Sequence, residues 1–306
     1  MKTFVRAAEI WVLSKDRTRL EFASGLDAFG AVNDISCFGF AEGLAAEAWA
    51  TGRPIILRDL TGSDSEPAAG KAAGLTCAVA LPVFAGEFLM GVVVFCCGDD
   101  DTHVGAIELW HHDPGITNDL RFADGYYGAA DTFEFNAGYA KFPRGYGLPG
   151  RAWRAHMPLI MKDLLESREF LRANQAIEIG INWGLGIPYS LVTGHTYVVT
   201  FLCGRNTPIA RRVEIWVPEE SSGTLVFHSG DCAEGGALAT EYGNSKIQKR
   251  EGLLGQVWFT GMPALRPILA ADRIPAEPSA AIGPSAAIAM PFIEAGRLKA
   301  ITAWYF

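Results

Sequence analysis

The sequence predicts an α+β chain of three repeated units, each an antiparallel sheet with helices mainly on one face. Three observations predict it. The pattern Glu-Ile/Leu-Trp occurs at 9–11, 108–110 and 214–216. A Leu-x-Phe-x-x-Gly pattern follows as Leu20/Phe22/Gly25, Leu120/Phe122/Gly125 and Leu225/Phe227/Gly230. A Gly-Leu-x-x-x-x-Trp block closing on proline spans 43–54, 147–158 and 252–263, with proline five residues after Trp each time. Fixed spacing of Trp, Gly and Pro with little else shared marks a repeated core carrying variable loops.

Taken in order, residues 8–13 and 18–24 alternate as two strands joined by the polar turn Ser14-Lys15-Asp16-Arg17, and 105–112 with 119–124 and 211–218 with 224–229 repeat them. The Ala-rich stretch 43–51 has apolar residues at helical spacing and stops at Gly52, so it predicts a short helix followed by a strand at 54–57. A second helix is expected at 168–179 in the middle unit, shrinking to 67–73 in the first. The Pro-rich run 275–284 leaves almost no room for it in the third. Each unit ends on an apolar strand interrupted by Pro82, Pro188 or Pro291 that turns back into 88–97, 197–203 or 299–306.

Composition bounds the function. A chain of 306 residues, 49% hydrophobic and 20% charged, buries a sizeable core and exceeds one small domain. A formal net charge of -8 repels phosphate backbones and acidic lipid surfaces, so neither nucleic acid nor membrane is an expected partner. The most apolar run, 88–97, is far short of the roughly 18–20 residues that span a bilayer. With no amino-terminal signal pattern, the sequence reads as cytoplasmic. The six cysteines, at 37, 77, 96, 97, 203 and 232, form no CxxC pair and no zinc-type spacing. His111 and His112 are adjacent, the other histidines are scattered, and no metal is expected.

The order of hairpin, Gly-Leu-x-x-x-x-Trp helix, proline-initiated strand, second helix and proline-interrupted terminal hairpin resembles the GAF family. The middle unit carries it best, through Gly147-Leu148-Pro149-Gly150-Arg151-Ala152-Trp153, then Met157-Pro158-Leu159-Ile160, then Leu185-Gly186-Ile187-Pro188-Tyr189. PAS domains share the general plan without the Gly-Leu-x-x-x-x-Trp block. The resemblance implies units at 1–103, 104–210 and 211–306, each with a small-molecule cavity between one sheet face and the helices. It names no particular cofactor, and the cyclic-nucleotide and bilin signatures are absent. Family members begin and end with helices that cover the back of the sheet. Here Cys97 to Trp110 and Cys203 to Trp216 are the same thirteen-residue step, with no room for such a helix. An offset arrangement, with strands exchanged between neighbours (39–125, 143–230, and 1–38 with 250–306), is therefore a second expectation.

Function follows the site rather than the fold. The resemblance implies a small-molecule sensor acting through a protein partner or by self-association. The alternatives are an oligomerising scaffold without ligand and a redox enzyme similar to free-methionine sulfoxide reductase. Glu9, Glu108 and Glu214 stand two residues before Trp, hence on its face of the sheet. Each is either a pocket carboxylate or a solvent-facing or interface one paired with arginine. The middle unit has the stronger claim to a cavity, with Glu108, Tyr127, Tyr146, Arg151, Asn182, Trp183 and Tyr189 as ligand-binding candidates. For the redox alternative the candidate thiols are Cys77 and Cys97, expected to face each other across the last hairpin. Cys96 would point to the other side.

Overall fold

In the computed structural model, described over residues 2–27, 37–60, 74–100, 104–128, 130–164, 172–204, 206–268 and 286–306, each repeat folds into one six-stranded antiparallel sheet. The first holds β1 (Val5–Leu13), β2 (Arg19–Asp27), β3 (Cys37–Gly39), β4 (Ile55–Leu57), β5 (Cys77–Ala85) and β6 (Phe88–Cys97), ordered β3-β2-β1-β6-β5-β4. The second repeats that order with β7 (Gly105–His112), β8 (Asp119–Tyr126), β9 (Lys141–Pro143), β10 (Leu159–Met161), β11 (Ile181–Ser190) and β12 (Thr196–Gly204). The third does so with β13 (Arg212–Glu219), β14 (Thr224–Cys232), β15 (Lys246–Ile247), β16 (Ala264–Pro267), β17 (Ala286–Glu294) and β18 (Arg297–Tyr305). The described helices are α1 (Gly43–Thr51), α2 (Asp131–Ala137), α3 (Gly147–Ala155), α4 (Ala173–Glu178), α5 (Leu238–Tyr242) and α6 (Gly252–Thr260).

The landmarks have local causes. Each opening hairpin shifts register at one place, between Ile10 and Trp11, Leu109 and Trp110, and Ile215 and Trp216, and the bulge sets Trp opposite Phe. The rings then meet edge to face at 5.5, 5.7 and 5.5 Å. Gly25, Gly125 and Gly230 lie where a Cβ would come within about 3 Å of that Phe ring. The block helices α1, α3 and α6 start on Gly43, Gly147 and Gly252, all at positive φ, a region that only glycine enters at no cost. They stop at a left-handed residue, Gly52, His156 or Gly261, two residues before the proline. Pro82, Pro188 and Pro291 sit in β5, β11 and β17 two residues past the last pairing with the short neighbouring strand, where their missing N–H breaks no ladder.

The helix expected at 168–179 is present over Ala173–Glu178 as α4, while 168–171, 67–73 and 275–284 lie outside the described residues. The short helices α2 and α5 carry no signal that the sequence reading used.

Strand exchange between units does not occur in these sheets. β7 pairs with β12 and β8, and β1 pairs with β6 and β2. The first and last strands of each unit complete each other's hydrogen bonding, so the link to the next unit is a connection between sheets and not a paired hairpin. What covers the sheet backs is the other two sheets. Ile10, Val93 and Phe95 of the first unit, Leu109, Val199 and Phe201 of the second, and Ile215, Ile288 and Trp304 of the third share one central core. At its centre the register-equivalent Phe95, Phe201 and Trp304 contact one another at centroid distances of 6.1, 4.7 and 5.4 Å. Alternate residues of the same strands face outward into a separate core under the helices of each unit. Both faces are buried over 91–95, which fits the apolar run at 88–97.

The three sheets close a ring. β4 packs on β8 and β16 on β2, Arg58 pairs with Asp124 and Glu134, and Lys162 pairs with Asp231 at 2.6 Å. The backbone of Phe4 and Val5 donates to Pro208 and Ile209 in the second link. No helix among the described residues is long and apolar enough to cross a membrane.

Candidate functional site

The repeated glutamate is held by its own tryptophan in every unit. Trp11, Trp110 and Trp216 donate their indole N–H to Glu9, Glu108 and Glu214 at 2.9, 3.1 and 2.8 Å. Strand alternation puts both residues on the helix face, and the bulge brings the indole nitrogen back over the carboxylate. From this shared motif the second and third units diverge.

In the second unit Glu108 is 1% exposed and fully engaged. It accepts from Trp110, from the Thr200 hydroxyl at 3.0 Å and from the Tyr127 hydroxyl at 3.0 Å, and it pairs with Arg172 at 2.6 Å. The Arg172 guanidinium lies 4.2 Å above the Phe133 ring and 5.6 Å from that of Trp110. Burial first, then the Glu108 charge, pushes the Tyr127 hydroxyl above its ordinary range. The Arg172 and Tyr127 side chains thus occupy the space over Glu108. The glutamate is arginine-paired, as one of its two sequence readings held, but it is buried and not solvent-facing.

In the third unit the cation comes from the sheet itself. Arg212 of β13, 1% exposed, stands 3.7 Å from Glu214 and donates to the Tyr242 hydroxyl at 3.2 Å. Tyr305 donates to Glu214 at 3.0 Å. Burial raises the Glu214 carboxyl above its ordinary value, against the opposing effect of its donors and Arg212. The outer sides of Trp216, Tyr242 and Tyr305 then wall a cavity of about 400 Å³, closed by Leu254 of α6 and rimmed by Asn244, Ser245 and Lys246. A concave space with an aromatic wall and a few polar groups on one side is how small-molecule sites are built.

The ligand-binding candidates read from the sequence do not converge on one cavity. Glu108 and Tyr127 bond each other inside the filled second unit. Tyr146 precedes α3 and Arg151 lies within it. Asn182 and Trp183 border a cleft of about 310 Å³ toward the third unit. Tyr189 borders another cleft, of about 350 Å³, where the closing hairpins of all three units meet. The third-unit residues Trp216, Tyr242, Asn244 and Tyr305 were outside the candidate set. The signal available for them was the repeat itself, which places Glu214-Ile215-Trp216 in register with 108–110.

Cys77 and Cys97 are partners across the β5–β6 hairpin, both fully buried in the central core. Burial, reinforced by Cys77, pushes the Cys97 thiol well above its ordinary value, which keeps it protonated and a poor nucleophile. Among the described residues no group of His, Cys, Asp and Glu has metal-holding geometry.

Residues 3–110 match the family model of the GAF domain. No curated protein matches the chain. Similar solved structures include type II free methionine-R-sulfoxide reductase of Thermoplasma acidophilum, at 13% identity and a TM-score of 0.26 over 31% of this chain and 61% of that one. A structure described as the GAF domain is similar at 15% and 0.27, over 32% and 54%. The NreA protein of Staphylococcus aureus, mutated in its nitrate-binding site, is similar at 19% and 0.26, over 31% and 74%. This chain therefore spans less than two thirds of the first two, 61% and 54% of their length.

Proposed function

As an array of three GAF-like units, the chain is, we propose, a small-molecule-binding sensor whose ligand enters the third unit. The observation that carries this reading is the difference between two equivalent spaces. Arg172 and Tyr127 occupy the one over Glu108, while the one beside Glu214 is a cavity of about 400 Å³. The fitting ligand is small and mostly flat, with its face against Trp216, Tyr242 and Tyr305 and its polar end toward Asn244 and Lys246. On this reading the second unit is structural, since its own side chains hold the ligand's place.

A metabolite library screened by thermal shift, with hits checked by native mass spectrometry, tests the proposal. A ligand that stabilises the protein loses at least about tenfold in affinity, about 1.4 kcal/mol, in Asn244→Ala. It loses a similar amount in Ala287→Leu, which places a larger side chain in the cavity wall. Asn244→Ala leaves the buried core alone, so it reports even if Ala287→Leu misfolds. Hits whose affinity neither variant changes would overturn the third unit as the site.

A further inference from the structure

The contact between one unit and the next is built twice from register-equivalent residues, and the two versions differ. Ile107 and Val213 are each one residue before the repeated glutamate, and their partners across the opening hairpin are Tyr126 and Asp231. On the preceding unit, Cys77 and Trp183 occupy equivalent places, opposite Cys97 and Cys203. Thr76 and Asn182 precede them.

At the first junction a carboxylate of the protein gathers the neighbouring hydroxyls. The Tyr126 hydroxyl and the Thr76 hydroxyl both donate to Asp99, at 2.5 and 2.9 Å, and Arg6 donates to the carbonyl of Gly74 at 2.6 Å. At the second junction Asp231 turns to Lys162 at the rim. A cleft of about 310 Å³ stands between Asn182, Trp183 and Cys203 on one unit and Ile209, Val213 and Asp231 on the next. In its walls the Asn182 Oδ1 and the Trp183 Nε1 are buried without a hydrogen-bond partner, although Trp183 is only 9% exposed. Buried polar groups are nearly always paired, so an unpaired acceptor and an unpaired donor on consecutive residues lining one cleft mark the place of something that supplies both.

We propose that this junction is a second small-molecule site, distinct from the third-unit cavity, and that it takes a neutral planar ligand carrying a carbonyl beside an N–H, as an imide or lactam does. The ligand N–H donates to Asn182 and its carbonyl accepts from Trp183. A neutral ligand suits the two unpaired groups, which are themselves uncharged. Lys162 and Asp231 compensate each other at the rim, where Asp163 adds a further carboxylate that disfavours an anion, and burial pushes the Cys203 thiol up to about 12, so it stays protonated. Ile209, Ala210 and Val213 supply an apolar floor. Because both units contribute, the ligand fastens the second sheet to the third.

The indole N–H resonances of the isotope-labelled full chain read this out, with Trp183 assigned by its loss in Trp183→Phe and Trp216 reporting the third-unit cavity separately. Succinimide is expected to shift the Trp183 resonance saturably and leave Trp216 in place. N-methylsuccinimide, which has lost the donor, binds at least tenfold more weakly. Asn182→Ala abolishes the response, and so does Asp231→Tyr, which supplies the side chain used at the first junction and fills the cleft. Asp231→Tyr keeps the test open if Asn182→Ala does not fold. No saturable Trp183 shift, equal binding of both imides, or a long-lived water detected on the Trp183 indole would overturn the proposal. None of those results bears on the third-unit cavity.

Discussion

At the scale of single residues, the second and third units show two ways of burying one carboxylate. Glu108 is satisfied by three neutral donors and by Arg172, itself 5% exposed. Replacing one partner of a buried pair leaves the other charge uncompensated, so Arg172→Met should cost about 3–5 kcal/mol in chemical denaturation. The double variant Glu108→Gln/Arg172→Met should recover most of that loss, because a glutamine carbonyl in the place of Oε2 accepts from Trp110 and Thr200 while its NH2 donates to the Tyr127 hydroxyl. A double variant as unstable as the single one would remove the ion pair as the cause. Glu214 gives the opposite pH signature to the usual carboxylate. Its folded value is raised from the ordinary 4.5, with burial as the main cause. As pH rises from 4.5 toward that raised value the unfolded chain gives up its proton first, so stability falls through this window and levels off above it. Glu214→Gln should flatten this part of the stability profile, and an unchanged slope would show that Glu214 is not its source.

At the scale of elements, the first hairpin is closed by one exposed aspartate. Asp16 accepts from the Ser14 hydroxyl at 2.6 Å, from the Thr18 hydroxyl at 2.8 Å and from the Thr18 backbone at 3.1 Å, which lowers its carboxyl to about 2. A lowered folded value contributes stability above the unfolded pKa of 3.8 and loses it as pH falls toward 2. Asp16→Asn should therefore destabilise the protein at pH 6 and progressively less toward pH 3. A deficit that stays constant with pH would assign the effect to turn geometry. This turn was legible in the sequence, as were the hairpins, α1 with its glycine stop and the proline-broken strands. Each rests on residues close in the chain whose backbone preferences act locally. The helices α2 and α5 were not legible, because a helix of five to seven residues has no period to read and exists through packing such as that of Phe133 and Tyr242 on the sheet. The site was legible only in part. Glu108 and its face of the sheet followed from alternation. That Arg172 fills the space above it, and that Asn182 and Trp183 look toward the next unit, depends on chain segments far apart in sequence.

At the scale of the whole molecule, the equal links between units acquire a physical meaning. Their described residues hold no helix to cover the sheet backs, and an uncovered apolar back of this size would not persist in water. Each back is covered by the other two, and the central core draws on all three units. The ring is closed by contacts of one kind, β4 on β8 and β16 on β2, with Lys162 on Asp231 at the third junction. Such an arrangement couples the units. Trp304 is fully buried between Phe95 and Phe201, and truncating a buried Trp costs about 3–5 kcal/mol. Trp304→Ala should take that much from the stability of the whole chain in a single unfolding transition. It should also speed amide exchange in β6 and β12, which belong to other units, as much as in β18. If exchange rises only in residues 286–305 while β6 and β12 stay protected, the units would be independent beads joined by short links, and the shared core would contribute contact without cooperativity. The same coupling bears on the proposed sensing. A ligand that tightens the third unit acts on β17 and β18, whose inner faces pack on the other two sheets, so its effect should reach amide protection in the first unit with no contact there.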